Sequence, residues 1–189
     1  MSQTPPSLLQ RLRETPNDSD AWREFDDIYR PLLGGWLRGQ GVQAHDADDL
    51  VQDILRAVAR ELPHFHYDPA RGRFRGWLRQ VMINRLREFW RAQKRERAYV
   101  EGLLDQLVDP TSDLSRRWDH EHDQHVLQAL LAQIEPHFAA TNWQAFRRLM
   151  AGEQARTVAV GLGLSVNTVL LARSRILKRL REAAAEMTD

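Results

Sequence analysis

Residues 71–97, RGRFRGWLRQVMINRLREFWRAQKRER, hold ten Arg and Lys against only Glu88 and Glu96. The chemistry such a run supports is non-covalent. Guanidinium groups can lie along phosphates, and rings among them can stack on unpaired bases. Phe74, Trp77, Leu78, Val81, Met82, Leu86 and Phe89 recur at three- and four-residue steps, so the run predicts a helix with one apolar face. A solvated amphipathic helix has the same period, but surfaces usually mix charge signs, and ten to two is skewed. Trp77 and Phe74 lie on the apolar stripe and are expected in the core.

A second basic stretch closes the chain, TVAVGLGLSVNTVLLARSRILKRLREAAAE. It predicts a short helix over 157–162, a left-handed turn at Gly163 and a long helix capped by Ser165, with Ala159 small enough for the two helices to approach. This is a helix-turn-helix pattern. Ser165, Asn167 and Thr168 fall where such a motif reaches base edges, and Arg175, Lys178 and Arg179 follow as phosphate contacts. Arg173 stands between a guanine and a phosphate. Leu170 and Leu171 cannot donate hydrogen bonds, so one is expected to pack inward and the other to meet a thymine methyl or the first helix. An ordinary helical hairpin is the blander alternative.

Other chemistries find less support. His120, His122 and His125, with His64 and His66, suggest a metal site, but 120 and 122 point to different faces of a helix and no ligand shell is evident. They are expected to be solvated, with no metal and no cofactor. The chain has no cysteine, which excludes disulfides, thiolate metal sites and thiol catalysis. No glycine-rich phosphate loop, nucleophile elbow or pair of carboxylates in an apolar setting appears, so an enzyme is not expected.

The elements that must position the two basic runs are all helical. Asn17, Asp18, Ser19 and Asp20 supply caps for a helix striped by Trp22, Phe25, Ile28, Tyr29, Leu32, Leu33 and Trp36, with Pro31 expected to kink it. Leu8, Leu9 and Leu12 can form a short helix in an otherwise loose amino-terminal arm. Asp46 and Asp49 open a second helix, striped by Leu50, Ile54, Val58 and Leu62 and stopped by Pro63. Residues around Asp105–Asp113 read as a solvated linker. Helical period returns from Val126 to Ile134, and Thr141 with Gln144 matches a capping box. No alternating strand pattern of useful length is present. The fold class is therefore all-α, with two small helical bundles joined by an acidic linker and the helix-turn-helix in the second.

Net charge is only +1, yet the charges are segregated. Five acids and two Arg fill residues 46–62, and seven acids and two Arg fill residues 101–123. Two separated basic helices with acidic stretches between them imply two nucleic-acid contacts and a partner of another kind. No apolar run approaches the roughly 18 residues a membrane span needs. The start, MSQTPPSLLQ, lacks the features of a signal peptide. The expectation is a cytoplasmic protein with no membrane insertion.

Three stretches in this order, DADDLVQDILRAVARELPHF, FRGWLRQVMINRLREFWRAQKR and TVAVGLGLSVNTVLLARSRILKRLRE, resemble bacterial RNA polymerase sigma factors of the short, two-domain extracytoplasmic-function class. The likeness spans roughly residues 20–97 and 122–185. It implies a subunit that binds core RNA polymerase and promoter DNA, with an anti-sigma factor as a further candidate partner. Residues 1–98 would form domain two, which binds core and melts the minus-ten element. Residues 99–118 would form the linker, and 119–189 domain four, which reads the minus-thirty-five element. The family's core-binding signature falls on Asp49, Leu50, Gln52 and Asp53, with Leu55 where an aromatic is frequent. Minus-ten contacts would fall on Phe65, Tyr67, Arg71, Arg73, Asn84, Arg87 and Arg91. Minus-thirty-five contacts would fall on Ser165, Asn167, Thr168, Arg173, Arg175, Lys178 and Arg179. Many relatives carry a Lys-Ser-Arg run where this chain has Leu170, Leu171 and Ala172, so the usual contacts there do not carry over. The competing reading is a stand-alone helix-turn-helix regulator with an amino-terminal sensing or dimerisation domain.

Overall fold

The computed structural model describes residues 8–65, 74–93 and 97–184, without the side chains of 97–100. Among these residues there are nine α-helices and two 3-10 turns, and no strand. They divide into two compact units, one up to Val126 and one from Leu127.

The first unit begins with α1 (Leu8–Glu14), whose Leu8, Leu9 and Leu12 are all buried. Arg11 ties it to the next helix through Asp18 at 3.1 Å and Glu24 at 3.0 Å. Helix α2 (Ser19–Gly39) starts where the polar cluster predicts: Asp18 Oδ1 accepts from the Asp20 and Ala21 amides. Those two bonds, with Arg11, hold the Asp18 carboxyl below its ordinary range. The helix runs through Pro31 without interruption. Phe25, Tyr29, Leu33 and Leu37 form its innermost stripe.

Helix α3 (Ala44–Glu61) buries Ala47, Leu50, Val51, Ile54, Ala57 and Val58, and a 3-10 turn with Pro63 ends it. Helix α4 (Phe74–Ala92) carries the basic run. Its buried residues are Phe74, Leu78, Val81, Met82, Ile83, Leu86 and Trp90. Trp90 thus takes the inward place at the carboxy-terminal end, and Phe89 and Trp77 are only half-buried. Helices α2 and α4 both pack on α3.

Within the expected linker 99–118, Asp105, Asp109, Pro110, Thr111 and Asp113 are exposed, but the stretch is helical on both sides of a turn, in α5 (Arg97–Val108) and the start of α6 (Asp113–Ile134). Leu104, Leu107, Ser115 and Trp118 are buried in the first unit. The Asp-Pro-Thr-Ser stretch is a turn between helices: Asp109 accepts from the Thr111 amide at 2.8 Å and hydroxyl at 2.7 Å. These bonds also lower the Asp109 pKa. The buried steps are three residues on α5, Leu104 to Leu107, and three and four on α6, from Ser115 through Trp118 to His122.

The second unit contains the end of α6, then α7 (Ala140–Met150), α8 (Ala155–Leu162) and α9 (Val166–Ala184). One core cluster joins Ile134, Trp143, Phe146 and Ile176, and another joins Ala145, Val158, Ala159 and Val169. The capping box expected at Thr141 and Gln144 is not made. The helix begins two residues earlier, with Ala139 as N-cap and no side-chain cap bond. Arg148 makes a forked pair with Glu153, clamping the end of α7 to the turn before α8. The pair lowers the Glu153 pKa and raises that of Arg148.

Candidate nucleic-acid interface

The cations of α4 fall into two groups. Arg75 and Arg79 point toward α6: Arg75 meets Asp119 at 3.3 Å and Asp123 at 2.6 Å, and Arg79 meets Asp119 at 3.1 Å. Their side chains are only 17% and 13% exposed. Arg87 and Arg91 make no ion pair among the described residues, and with Asn84 they occupy steps of three and four along one face. Asn84 is exposed, and its Oδ1 accepts from Gln80 Nε2 at 3.0 Å. The amide group of Asn84 keeps its two donors for another partner. Arg85 is taken up by Glu88.

Phe65 is half-buried, with its ring 4.9 Å from that of Trp77 and 6.3 Å from that of Phe74. Phe74 is buried as expected, but Trp77 keeps a partly open face beside Phe65. Sequence period alone had assigned Trp77 to the core; its place at the edge of the stripe is the signal that marked it otherwise. Tyr67, Arg71 and Arg73, also expected in this surface, lie outside the described residues.

On α3, Asp49, Gln52 and Asp53 are exposed on one face, with Asp53 3.1 Å from Arg56. Leu50 is 5% exposed and belongs to the opposite, packed face. Of the four residues singled out there, three are therefore available to a partner and Leu50 holds the helix in place.

The inner side of the first unit holds unusual polarity. His122 is fully buried, contrary to the expectation of a solvated histidine. The physical reason is its place one turn beyond Trp118, between the rings of Tyr29 and Trp118 at 5.9 and 6.2 Å. Its Nδ1 donates to Asp123 Oδ1 at 3.0 Å, which leaves Nε2 without a partner. Burial pushes the His122 pKa down, against the opposing pull of Asp123. Tyr29 Oη, Trp36 Nε1 and Trp118 Nε1 are likewise buried without hydrogen bonds among the described residues. Burial and the nearby Asp123 charge raise the Tyr29 pKa. His125 Nε2 bonds to the Ile28 carbonyl at 2.7 Å, and His120 is exposed. No three His, Asp or Glu converge on a metal position among the described residues.

In the second unit, the axes of α8 and α9 are bent by 107° across residues 163–165. Gly163 is left-handed at φ 64°, and the Leu164 amide reaches back to the Ala159 carbonyl at 2.9 Å. Ser165 Oγ accepts from the Thr168 amide at 3.0 Å, as a cap should, and also bonds the Thr168 hydroxyl at 2.8 Å. Thr168 is thereby held to its own helix end. Val169, Ala172 and Ile176 face inward. Asn167, Leu170, Leu171 and Ser174 all face outward. The expectation that one leucine packs inward fails, because Ala172 fills the inward position between Val169 and Ile176. Arg173 and Arg175 are exposed without ion pairs among the described residues, whereas Lys178 and Arg179 each lie 4.0 Å from Glu182.

No single helix among the described residues is long and apolar enough to cross a membrane. Residues 26–96 match the family Sigma-70 region 2. An RNA polymerase sigma-E factor of Streptomyces avermitilis is 34% identical over 162 residues, covering 84% of each chain. The protein of the same name from Streptomyces coelicolor is 31% identical, over 84% of this chain and 85% of that one. An ECF RNA polymerase sigma factor SigD of Mycobacterium bovis is 26% identical over 91% of this chain and 81% of its own. No solved structure matches the chain.

Proposed function

Because the chain belongs to the extracytoplasmic-function class of bacterial RNA polymerase sigma factors, we propose that its two units divide the work of promoter recognition. The protein binds core RNA polymerase and directs promoter-specific initiation. The first unit docks on core through Asp49, Gln52 and Asp53 and holds the opened minus-ten strand. Asn84, Arg87 and Arg91, with Phe65 and Trp77, form that strand's surface, and Tyr67, Arg71 and Arg73 belong to it by sequence. The second unit reads the minus-thirty-five duplex with the start of α9. The protein contributes specificity, and the bond-forming chemistry belongs to the polymerase. Acting on that enzyme places it in the cytoplasm, where an anti-sigma factor is a further partner.

The observation that supports this division is the sorting of cations on α4. Arg75 and Arg79 are consumed by Asp119 and Asp123, while Arg87 and Arg91 stay unpaired beside Asn84. Unpaired guanidinium groups on one face with an amide donor suit a phosphate backbone carrying splayed bases. A stand-alone regulator is not favoured, since the relatives named as sigma factors align through both units. The test is reconstitution with core polymerase on a genomic template, followed by mapping of transcript 5′ ends. Discrete starts that share two upstream elements are expected. DNA binding by the chain alone at symmetric sites, with no effect on core, would overturn the proposal.

A further inference from the structure

We propose that Leu170 and Leu171 together read thymine methyl groups in the major groove of the minus-thirty-five element, so that this chain selects A·T pairs there by apolar contact. The inference rests on the assignment of α9 to duplex reading. Leu170 is 46% exposed and Leu171 45% exposed, and Val166, one turn before Leu170, is 41% exposed. Leu170 and Leu171 stand on the outward side of α9, away from Val169, Ala172 and Ile176, which the core holds fixed, and Val166 flanks that buried stripe at the helix start. The leucines are not displaced core residues, because the inward positions are already filled.

Charge says what covers this apolar face. Arg173 and Arg175 are exposed within the same turn, without ion pairs among the described residues, and Lys178 and Arg179 follow. Apolar side chains flanked by cations suit a duplex groove, whose floor offers methyl groups and whose walls are phosphates. Asn167 shares the face one turn earlier and can bond an adenine edge with both ends of its amide.

Leucine discriminates in two ways here. It gains apolar contact with the 5-methyl of thymine. It also strips water from any guanine or cytosine edge placed against it and returns no hydrogen bond, which penalises those bases. Two adjacent leucines extend this over neighbouring base pairs, and neither the Ser165 nor the Thr168 hydroxyl competes, since they bond one another.

The experiment uses holoenzyme assembled from the full chain and core polymerase on a promoter identified by its transcript start. Each thymine of the minus-thirty-five element, on either strand, is replaced singly by deoxyuridine, which lacks only the methyl group. At one or two positions binding should weaken about fourfold, the factor expected for one buried methyl carbon. Leu170→Ala or Leu171→Ala should weaken the thymine promoter by a similar factor and abolish the thymine-to-uracil difference. Both side chains are exposed, so the thermal midpoints of these variants should match the parent. The inference is overturned by an element without thymine, by indifference to deoxyuridine at every position, by a difference that survives both variants, or by leucine variants that instead lose affinity for core. A chain that directs no promoter-specific transcript with core overturns the assignment as a whole. Specific transcripts with no methyl effect overturn only the role of the leucines.

Discussion

Arg75 Nη1 lies 2.6 Å from an Asp123 carboxylate oxygen, joining α4 to α6 across 48 residues of sequence. Arg79 repeats the link to Asp119 at 3.1 Å, and Arg75 Nε reaches the same Asp119 at 3.3 Å. Two cations of the basic helix are therefore neutralised by two acids of α6 that the sequence had assigned to the carboxy-terminal domain, just beyond the linker. Behind this rim sit Trp118 and His122, with Tyr29 Oη, Trp36 Nε1, Trp118 Nε1 and His122 Nε2 all unbonded. Each unmet buried group costs about 1–3 kcal/mol. The α6 seat is thus apolar and ion-paired at once, and weaker than its burial alone implies.

The rim should be measurable as a coupling. Arg75→Ala and Asp123→Ala are each expected to destabilise the first unit by about 1–2 kcal/mol in urea unfolding followed by tryptophan fluorescence. The double variant should lose less than the sum. Full additivity would show that the pair contributes nothing to holding α6.

Acidification should loosen the same seat. Burial lowers the His122 pKa below its ordinary 6.5, so the neutral form is the one the folded state prefers. Its contribution is complete above that ordinary value. It declines as pH falls below 6.5 and is lost once the folded histidine protonates, with a slope of up to about 1.4 kcal/mol per pH unit. Asp123, Asp119, Arg75 and Tyr29 are the charged and titratable groups around it. Protection factors of the amides of residues 113–126, with exchange normalised to the intrinsic rate at each pH, should fall from pH 7.5 to pH 5.5 in the parent and change much less in His122→Phe. An equal fall in both would assign the effect to other groups.

Core binding should follow the exposed acids of α3. Asp49→Lys with Asp53→Lys is expected to weaken association with core polymerase about tenfold or more, mostly at low salt. The urea midpoint should stay put, since both side chains are exposed. Leu50→Ala should do the reverse, destabilising the unit by about 2–5 kcal/mol because it empties a packed position.

Strand opening should depend on Asn84. Asn84→Ala removes the donors that face outward beside Arg87 and Arg91 and leaves the core stripe untouched. Open-complex formation on duplex promoters should fall about tenfold, with unchanged core affinity and largely restored activity on a template already mismatched in the melted region. Permanganate reactivity equal to the parent on duplex DNA would remove Asn84 from this role.

Local rules settled much of the chain before any packing was known. The Asp18 and Ser165 caps, the left-handed Gly163, the stripes of α2, α3 and α4 and the all-helical class follow from interactions within a few residues, which spacing displays directly. The basic faces were legible for the same reason. Long-range contacts decided the rest. Which Arg of α4 is free and which is consumed depends on acids 40 and 48 positions away. The burial of His122 and the bond from His125 to Ile28, 97 positions off, depend on α2. The helices on either side of the turn at residues 109–112 pack on the first unit through Leu104, Leu107 and Trp118, while the acids that suggested solvent do stay exposed at Glu101, Asp105, Asp109 and Asp113. Leu170 and Leu171 both turned outward because Ala172 already occupied the space against the core. A helical period states which residues share a face, and only the neighbour packed against that face decides whether it meets protein, water or DNA.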